Sequence, residues 1–160
     1  ASIRVKKYIG TEPSSTTFEG LLKLKNDFNY LYTEIELHKT GSELFTPAEN
    51  SLDLCFTSPP YFDTEKYSDE PTQSYLKYPS EDRWIGGFLY DTISNCYRGL
   101  KKDGYMLMNI ANTSSGKSIE NATIEISEKI GFRHKKTLRL TLSSIAGKGQ
   151  KYEPIFVFKK

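Results

Sequence analysis

Leu52-Asp53-Leu54-Cys55-Phe56-Thr57-Ser58-Pro59-Pro60-Tyr61 is the stretch on which the reading of this chain turns. Its first six residues are short and apolar, the pattern of a strand buried on both faces of a parallel sheet. Two prolines then fix φ and hold the backbone extended and stiff, and neither offers an N–H. Carbonyls therefore dominate the local surface. In an open α/β sheet, ligands bind beyond the carboxyl ends of the strands, which puts Ser58, Pro59, Pro60 and Tyr61 at the mouth of a site.

The oxygens of that turn suit one kind of chemistry. Ser58 Oγ and the Pro59 carbonyl accept hydrogen bonds from an amine. An amine conjugated to a base ring is a poor nucleophile, because its lone pair is delocalised. Acceptors around its hydrogens favour a pyramidal nitrogen and developing positive charge, which is electrostatic preorganisation without a covalent intermediate. Tyr61 offers a flat face to a base flipped out of its stack. A proline-stiffened turn with no chemical duty is the alternative.

Outward from this turn, strands and helices alternate. Residues 4–9 read as a strand closed by Gly10. Pro13-Ser14-Ser15 feeds a helix over 16–28 with Phe18, Leu21 and Leu22 on one side. Residues 33–37 alternate as a strand, and 39–51 form a polar loop broken by Gly41 and Pro47. Segment 62–79 is long and irregular, with Tyr67, Gln73, Tyr75 and Tyr78. It is either a target-contacting insertion or a mobile surface loop, and its acids Asp63, Glu65, Asp69 and Glu70 argue against simple phosphate contact. Ser80 reads as the N-cap of a helix carrying Trp84, Phe88, Leu89, Ile93, Cys96, Tyr97 and Leu100. After Gly104, residues 105–110 read as a buried strand, followed by a helix over 118–130 that Gly131 caps. Strands at 133–142 and 154–158 have no helix between them and should pair antiparallel. The order β-α-β-β-α-β-α-β-β predicts a single α/β domain over 1–160, its sheet mostly parallel with an antiparallel last strand.

Composition bounds the partners. The chain has 160 residues and a net charge of +2, so overall charge selects nothing. From Lys129 onward, however, nine Lys and Arg stand against one acid, Glu153. That excess either faces phosphate or keeps an edge strand soluble. Cys55 and Cys96 lie 41 positions apart in apolar segments, and His38 and His134 have no ligand-spaced neighbours, so neither a disulfide framework nor a metal site is expected. No apolar run approaches membrane-spanning length and no export signal is visible, so the expected location is cytoplasmic.

The turn Ser58-Pro59-Pro60-Tyr61 resembles the catalytic motif of DNA amino-methyltransferases, in which Ser, Asn or Asp precedes Pro-Pro and an aromatic. The resemblance implies a Rossmann-like methyltransferase fold, S-adenosylmethionine as cofactor, DNA as partner, and methylation of an exocyclic amine. Members with Ser in first place tend to act on cytosine, those with Asn or Asp on adenine. Residues 8–13 (Y-I-G-T-E-P) resemble the family's second cofactor strand, which gives Glu12 the two ribose hydroxyls. Residues 35–37 and 40–43 resemble its third cofactor motif, making Ser42 and Glu43 candidates for the adenine edge. The elements from Ser80 and Gly104 and the segment 152–158 resemble those that follow and close the sheet.

One departure matters. The family's glycine-rich first motif should precede Glu12 and is absent. Gly147-Lys148-Gly149 is no substitute, because no helix follows it. The expectation is a domain incomplete at its N-terminal side, whose sheet needs an upstream fragment or a second copy to complete it. Three other readings stand beside the main one: the same chemistry on RNA or on protein glutamine, a non-catalytic binding subunit, and nucleotide binding at Ala111-Asn112-Thr113-Ser114-Ser115-Gly116-Lys117-Ser118, a relaxed phosphate-loop pattern.

Overall fold

A computed structural model describes residues 5–28, 33–113, 118–142 and 151–160. Its elements run β1 (Lys7–Thr11), α1 (Ser15–Asp27), β2 (Glu34–His38), β3 (Leu52–Thr57), α2 (Ser74–Lys77), α3 (Glu81–Trp84), a π-helical turn (Ile85–Leu89), α4 (Tyr90–Gly99), β4 (Leu100–Asn109), α5 (Ile119–Ile130), β5 (Arg133–Leu142) and β6 (Lys151–Lys159). Caps set several of these boundaries. Ser80 Oγ accepts from the Arg83 N–H at 3.4 Å and Ser118 Oγ from the Asn121 N–H at 3.2 Å, each satisfying one otherwise unpaired donor. Gly131 ends α5 at φ 124°, a conformation that side chains avoid.

β3 and β4 pair in parallel, while β6 lies between β4 and β5 and is antiparallel to both. β1 and β2 form a separate parallel pair. The strands thus fall into two groups, and among the described residues β1 and β3 each hydrogen-bond one strand only. Gly10 does not close β1, as expected, but lies within it opposite Leu37. A Cβ there would meet the Tyr8 ring at 2.9 Å and Leu37 at 3.1 Å, so close approach explains the glycine.

The core lies on one face of the four-stranded sheet. Trp84, Phe88, Leu89 and Ile93 from the helices pack against Met106, Met108, Phe156 and Phe158. Each such side chain contributes roughly 1.5–3 kcal/mol by leaving water. The other face differs from the expectation that β3 is buried on both sides. Leu54 is 56% and Phe56 64% exposed. The helices that build the core lie against the Met106 and Met108 face, and what remains opposite is an open trough of about 520 Å³ lined by Tyr105, Leu107, Leu138, Val157, Lys135 and Lys136. α1 likewise buries none of its residues. Instead of packing Phe18, Leu21 and Leu22 away, it forms a shallow apolar hollow of about 230 Å³ in which Leu21, Leu24 and Phe28 meet Tyr8, Ile35 and Leu37.

Candidate active site

The parallel register of β3 and β4 sets Thr57 opposite Met108, so the next residues, Ser58 and Asn109, meet at the carboxyl ends of both strands. Ser58 Oγ donates to Asn109 Oδ1 at 3.4 Å. Ser58 is exposed, Pro59 buried, and Pro60 and Tyr61 half-buried. The Pro60 carbonyl accepts the Phe62 N–H at 3.1 Å, and Phe62 takes φ 52°, which turns the chain back sharply. The Pro59 carbonyl accepts no hydrogen bond among the described residues. One stiff acceptor is therefore left unpaired within this buried proline, next in the chain to the Ser58 hydroxyl.

Tyr61 packs against the edge of the core, and its hydroxyl donates to Glu153 Oε2 at 3.1 Å. Burial pushes its phenol up to about 12; the Ser58 hydroxyl pulls the other way, and Glu153 adds to the rise. The ring is neutral near pH 7, with its edge tied down.

Glu12 follows β1, its N–H bonded to the His38 carbonyl at 3.0 Å. Its Oε1 accepts the Ser14 N–H at 2.7 Å, and Oε2 accepts nothing among the described residues. The carboxylate thus has spare acceptor capacity at a strand's carboxyl end. Tyr67 stands nearby; burial first, then Glu65 and Glu12, push its phenol up to about 12.

Segment 62–79 is more ordered than a plain loop. Glu70 accepts both the N–H of Ser15, at 3.0 and 3.2 Å, and its hydroxyl, at 2.8 Å, so this acid caps α1 from 55 residues away. Thr72 Oγ1 donates to the Pro13 carbonyl at 3.2 Å, and Tyr75 Oη to the Ser68 carbonyl at 3.0 Å. Residues 74–77 form the helical turn α2. The segment after the tetrapeptide is thereby fastened to the segment after Glu12.

Ser42 and Glu43 are held against the helices. Ser42 Oγ shares a hydrogen bond with Thr92 Oγ1 at 2.9 Å, and Asn95 Nδ2 donates to both backbone carbonyls, Ser42 and Glu43, at 3.1 Å. The Glu43 side chain is 1% exposed and pairs with Lys77, leaving Oε2 buried with no hydrogen-bond partner among the described residues. The structure brings Ser58, Pro59, Pro60 and Tyr61 together with two residues that sequence reasoning missed, Asn109 and Glu153. Asn109 carried a signal, as a polar residue closing an apolar strand; Glu153 carried none beyond its place in a closing strand.

The phosphate-loop pattern falls partly on residues 114–117, outside the described residues. What is described is a reciprocal pair: Asn112 N–H to Glu120 Oε1 at 3.1 Å and Glu120 N–H to Asn112 Oδ1 at 3.0 Å. An acid thus occupies the start of α5, where a phosphate would approach. Cys55 and Cys96 are free thiols; Cys55 Sγ lies 4.0 Å from the Cys96 carbonyl oxygen. No helix among the described residues is long and apolar enough to cross a membrane.

No family model matches the sequence, and no curated protein matches it. Solved structures do resemble the fold. An S-adenosylmethionine-dependent methyltransferase from Methanosarcina mazei aligns with a TM-score of 0.58 at 11% identity, over 96% of this chain and 82% of that one. A candidate DNA modification methylase from Thermus thermophilus aligns with a TM-score of 0.53 at 16% identity, over 76% of this chain and 50% of that one. A candidate RNA methyltransferase from Pyrococcus horikoshii aligns with a TM-score of 0.57 at 12% identity, over 97% of this chain and 62% of that one. The chain thus spans between half and about four-fifths of these proteins. It has a Rossmann-like methyltransferase fold, with a mixed sheet in which β6 runs against its neighbours.

Proposed function

We propose that this chain carries the catalytic part of a methyltransferase that moves a methyl group from S-adenosylmethionine to the exocyclic amine of a DNA base, cytosine or adenine. The observation that carries the reading is the Ser58-Pro59-Pro60-Tyr61 turn at the carboxyl end of β3, with Ser58 an exposed residue and the Pro59 carbonyl unpaired among the described residues. Those two oxygens receive the amine hydrogens and the positive charge that grows on nitrogen. Tyr61 stacks on the base, and Pro60 fixes the angle between ring and acceptors.

The residues near β1 and β2 suit the cofactor. The free oxygen of Glu12 accepts ribose hydroxyls, and the loop with Ser42 and Glu43, pinned by Thr92, Asn95 and Lys77, borders the adenine end. S-adenosylmethionine supplies an electrophilic methyl on a sulfonium: nitrogen forms the new bond to carbon as the carbon–sulfur bond breaks and its electron pair stays on sulfur, the spare amine proton passing to water. Segment 62–79, fastened to the α1 entrance through Glu70, flanks the base. The exposed apolar face of β3 and the unpaired edges of β1 and β3 support a second element of the proposal. A further polypeptide segment, or a second copy, adds a strand there and completes cofactor binding.

The test is transfer of labelled methyl from S-adenosylmethionine to DNA, RNA and a glutamine peptide in parallel, with and without a second polypeptide that supplies the glycine-rich cofactor strand. Label in N4-methylcytosine or N6-methyladenine is expected. Label in RNA or peptide alone replaces the substrate, and cofactor binding without transfer to any of the three reassigns the chain as a binding subunit. Tyr61→Ala should lower turnover on the order of 100-fold, well beyond the loss in urea midpoint that its packing and its bond to Glu153 account for.

A further inference from the structure

Two consecutive residues of β6 hold both ends of the tetrapeptide. At one end, Ser58 Oγ donates to Asn109 Oδ1 at 3.4 Å, and Asn109 Nδ2 donates onward to the Pro154 carbonyl at 3.0 Å. At the other, the Tyr61 hydroxyl donates to Glu153 Oε2 at 3.1 Å. Glu153 and Pro154 reach this place because β6 is antiparallel to β4. Asn109 pairs with Ile155, so the residues before Ile155 extend past the carboxyl end of β4.

The direction of each hydrogen bond is forced. Asn109 is 6% exposed, and a carbonyl can only accept, so the amide nitrogen must face Pro154 and the amide oxygen must face Ser58. That oxygen has no proton to give. Toward Asn109, Ser58 can only give its hydrogen, with the Tyr61 hydroxyl a competitor beside it; once that hydrogen is so used, the Ser58 lone pairs remain for whatever enters from solvent. A carboxylate likewise accepts only, so the Tyr61 hydroxyl donates to Glu153, which anchors the outer end of the ring.

We infer that Asn109 and Glu153 are positioning residues of this site: Asn109 draws the Ser58 hydrogen to itself and so presents Ser58 as an acceptor toward a substrate that brings N–H donors, and Glu153 anchors the outer end of the Tyr61 ring on which the substrate ring lies. The inference deepens the proposed methylation of an amine and rests on it for its substrate class. The 3.4 Å contact is long for a hydroxyl donor and shortens when a substrate amine polarises Ser58 from the other side. A substrate offering a keto oxygen at the same place meets lone pairs on Ser58 and Pro59 and is rejected.

The experiment has two readouts on the full chain. The first is the titration of Tyr61, followed by NMR with ring-labelled tyrosine and assigned with Tyr61→Phe. The wild-type midpoint is expected near 12. Glu153→Ala should bring it down, with Glu153→Gln leaving the ring position unchanged because its amide oxygen still accepts from the phenol. A midpoint in Glu153→Ala equal to wild type overturns the tie, whether or not the chain transfers methyl groups. The second readout is the split between kcat and KM. Asn109→Leu and Glu153→Ala should each lower kcat on the order of 10- to 100-fold with the KM for S-adenosylmethionine unchanged, and Glu153→Gln should recover most of the rate. Unchanged kcat in both overturns the positioning roles. Absence of methyl transfer in the wild-type protein even when the strand-completing polypeptide is present, with the Tyr61 midpoint lowered in Glu153→Ala as expected, sinks the amine-methylation reading and with it the role of Asn109, while the Glu153 tie stands. Urea midpoints of all variants separate these effects from loss of the fold; should Asn109→Leu not fold, Asn109→Asp, which keeps an acceptor toward Ser58 and loses the bond to Pro154, takes its place and should retain the rate better than a variant lacking the acceptor, Asn109→Ala.

Discussion

The indole N–H of Trp84 donates to the hydroxyl of Ser74 at 3.1 Å, with the tryptophan fully buried and the serine 7% exposed. This bond joins α3 to α2 inside the segment that follows the tetrapeptide. Ser74→Ala leaves a buried donor without a partner, so it should cost about 1–3 kcal/mol, read as a lower urea midpoint with little change in slope. Ser74→Thr keeps the hydroxyl and should lose much less. Equal losses in the two variants would mean that the bond is not the cause.

Gly131 combines φ 124° with crowding, since a Cβ there would lie 2.8 Å from the Tyr97 hydroxyl. Gly131→Ala should destabilise by about 1 kcal/mol or more. Adding Tyr97→Phe removes the oxygen but not the backbone strain, so it should restore only part of the loss. Full restoration in thermal unfolding would show that the contact, not the left-handed backbone, demands glycine.

Alkaline pH should unfold the chain in part through Tyr61. Its phenol rises from 10.0 to about 12 in the folded state, first through burial and then through Glu153. The folded protein holds this proton more tightly than the unfolded chain does. The contribution is therefore fully present below pH 10 and is lost as pH climbs toward 12. Tyr61→Phe should flatten the decline in stability across that window. Tyr67 and Tyr78 are raised as well, so some slope remains. A Tyr61→Phe curve parallel to wild type between those pH values would count against the assignment.

Leu54 and Phe56 project from one side of β3 with more than half of each exposed. The isolated chain should bind an apolar dye and self-associate as concentration rises, measured by sedimentation velocity. Leu54→Thr with Phe56→Ser should weaken both signals and leave the core untouched, because Met106 and Met108 face the other way. Association that persists in the double variant would place the sticky surface elsewhere, with the α1 hollow of Leu21, Leu24 and Phe28 as the next to test.

The sequence was most legible where local chemistry decides the outcome. β3 and β5 end where turn residues and apolar pattern say they should, and Ser80, Ser118 and Gly131 cap the helices that their types announce. Gly10 misled because a glycine required by close strand packing looks the same in sequence as one that ends a strand. The exposure of Leu54 and Phe56 was invisible for a different reason: an apolar strand does not record which of its faces is covered. Within the site, the tetrapeptide was readable because two prolines and an aromatic are rigid on their own account. Its anchor was not, since Tyr61 and Glu153 are 92 residues apart and only the antiparallel course of β6 brings them together. Glu43 reads as a polar loop residue, yet the fold buries it against Lys77.

β6 follows β5 along the chain but is wedged between β5 and β4 in space. A nascent polypeptide leaving the ribosome therefore exhibits Ser58 to Tyr61 long before the residues that steady them exist. Until Lys151 and its successors emerge, β4 keeps a vacant flank and the turn lacks its ties to Glu153 and, through Asn109, to Pro154. The final arrangement of this region is consequently a late event in biosynthesis, and a stalled or clipped chain would display the tetrapeptide in full while lacking two of the contacts that hold it.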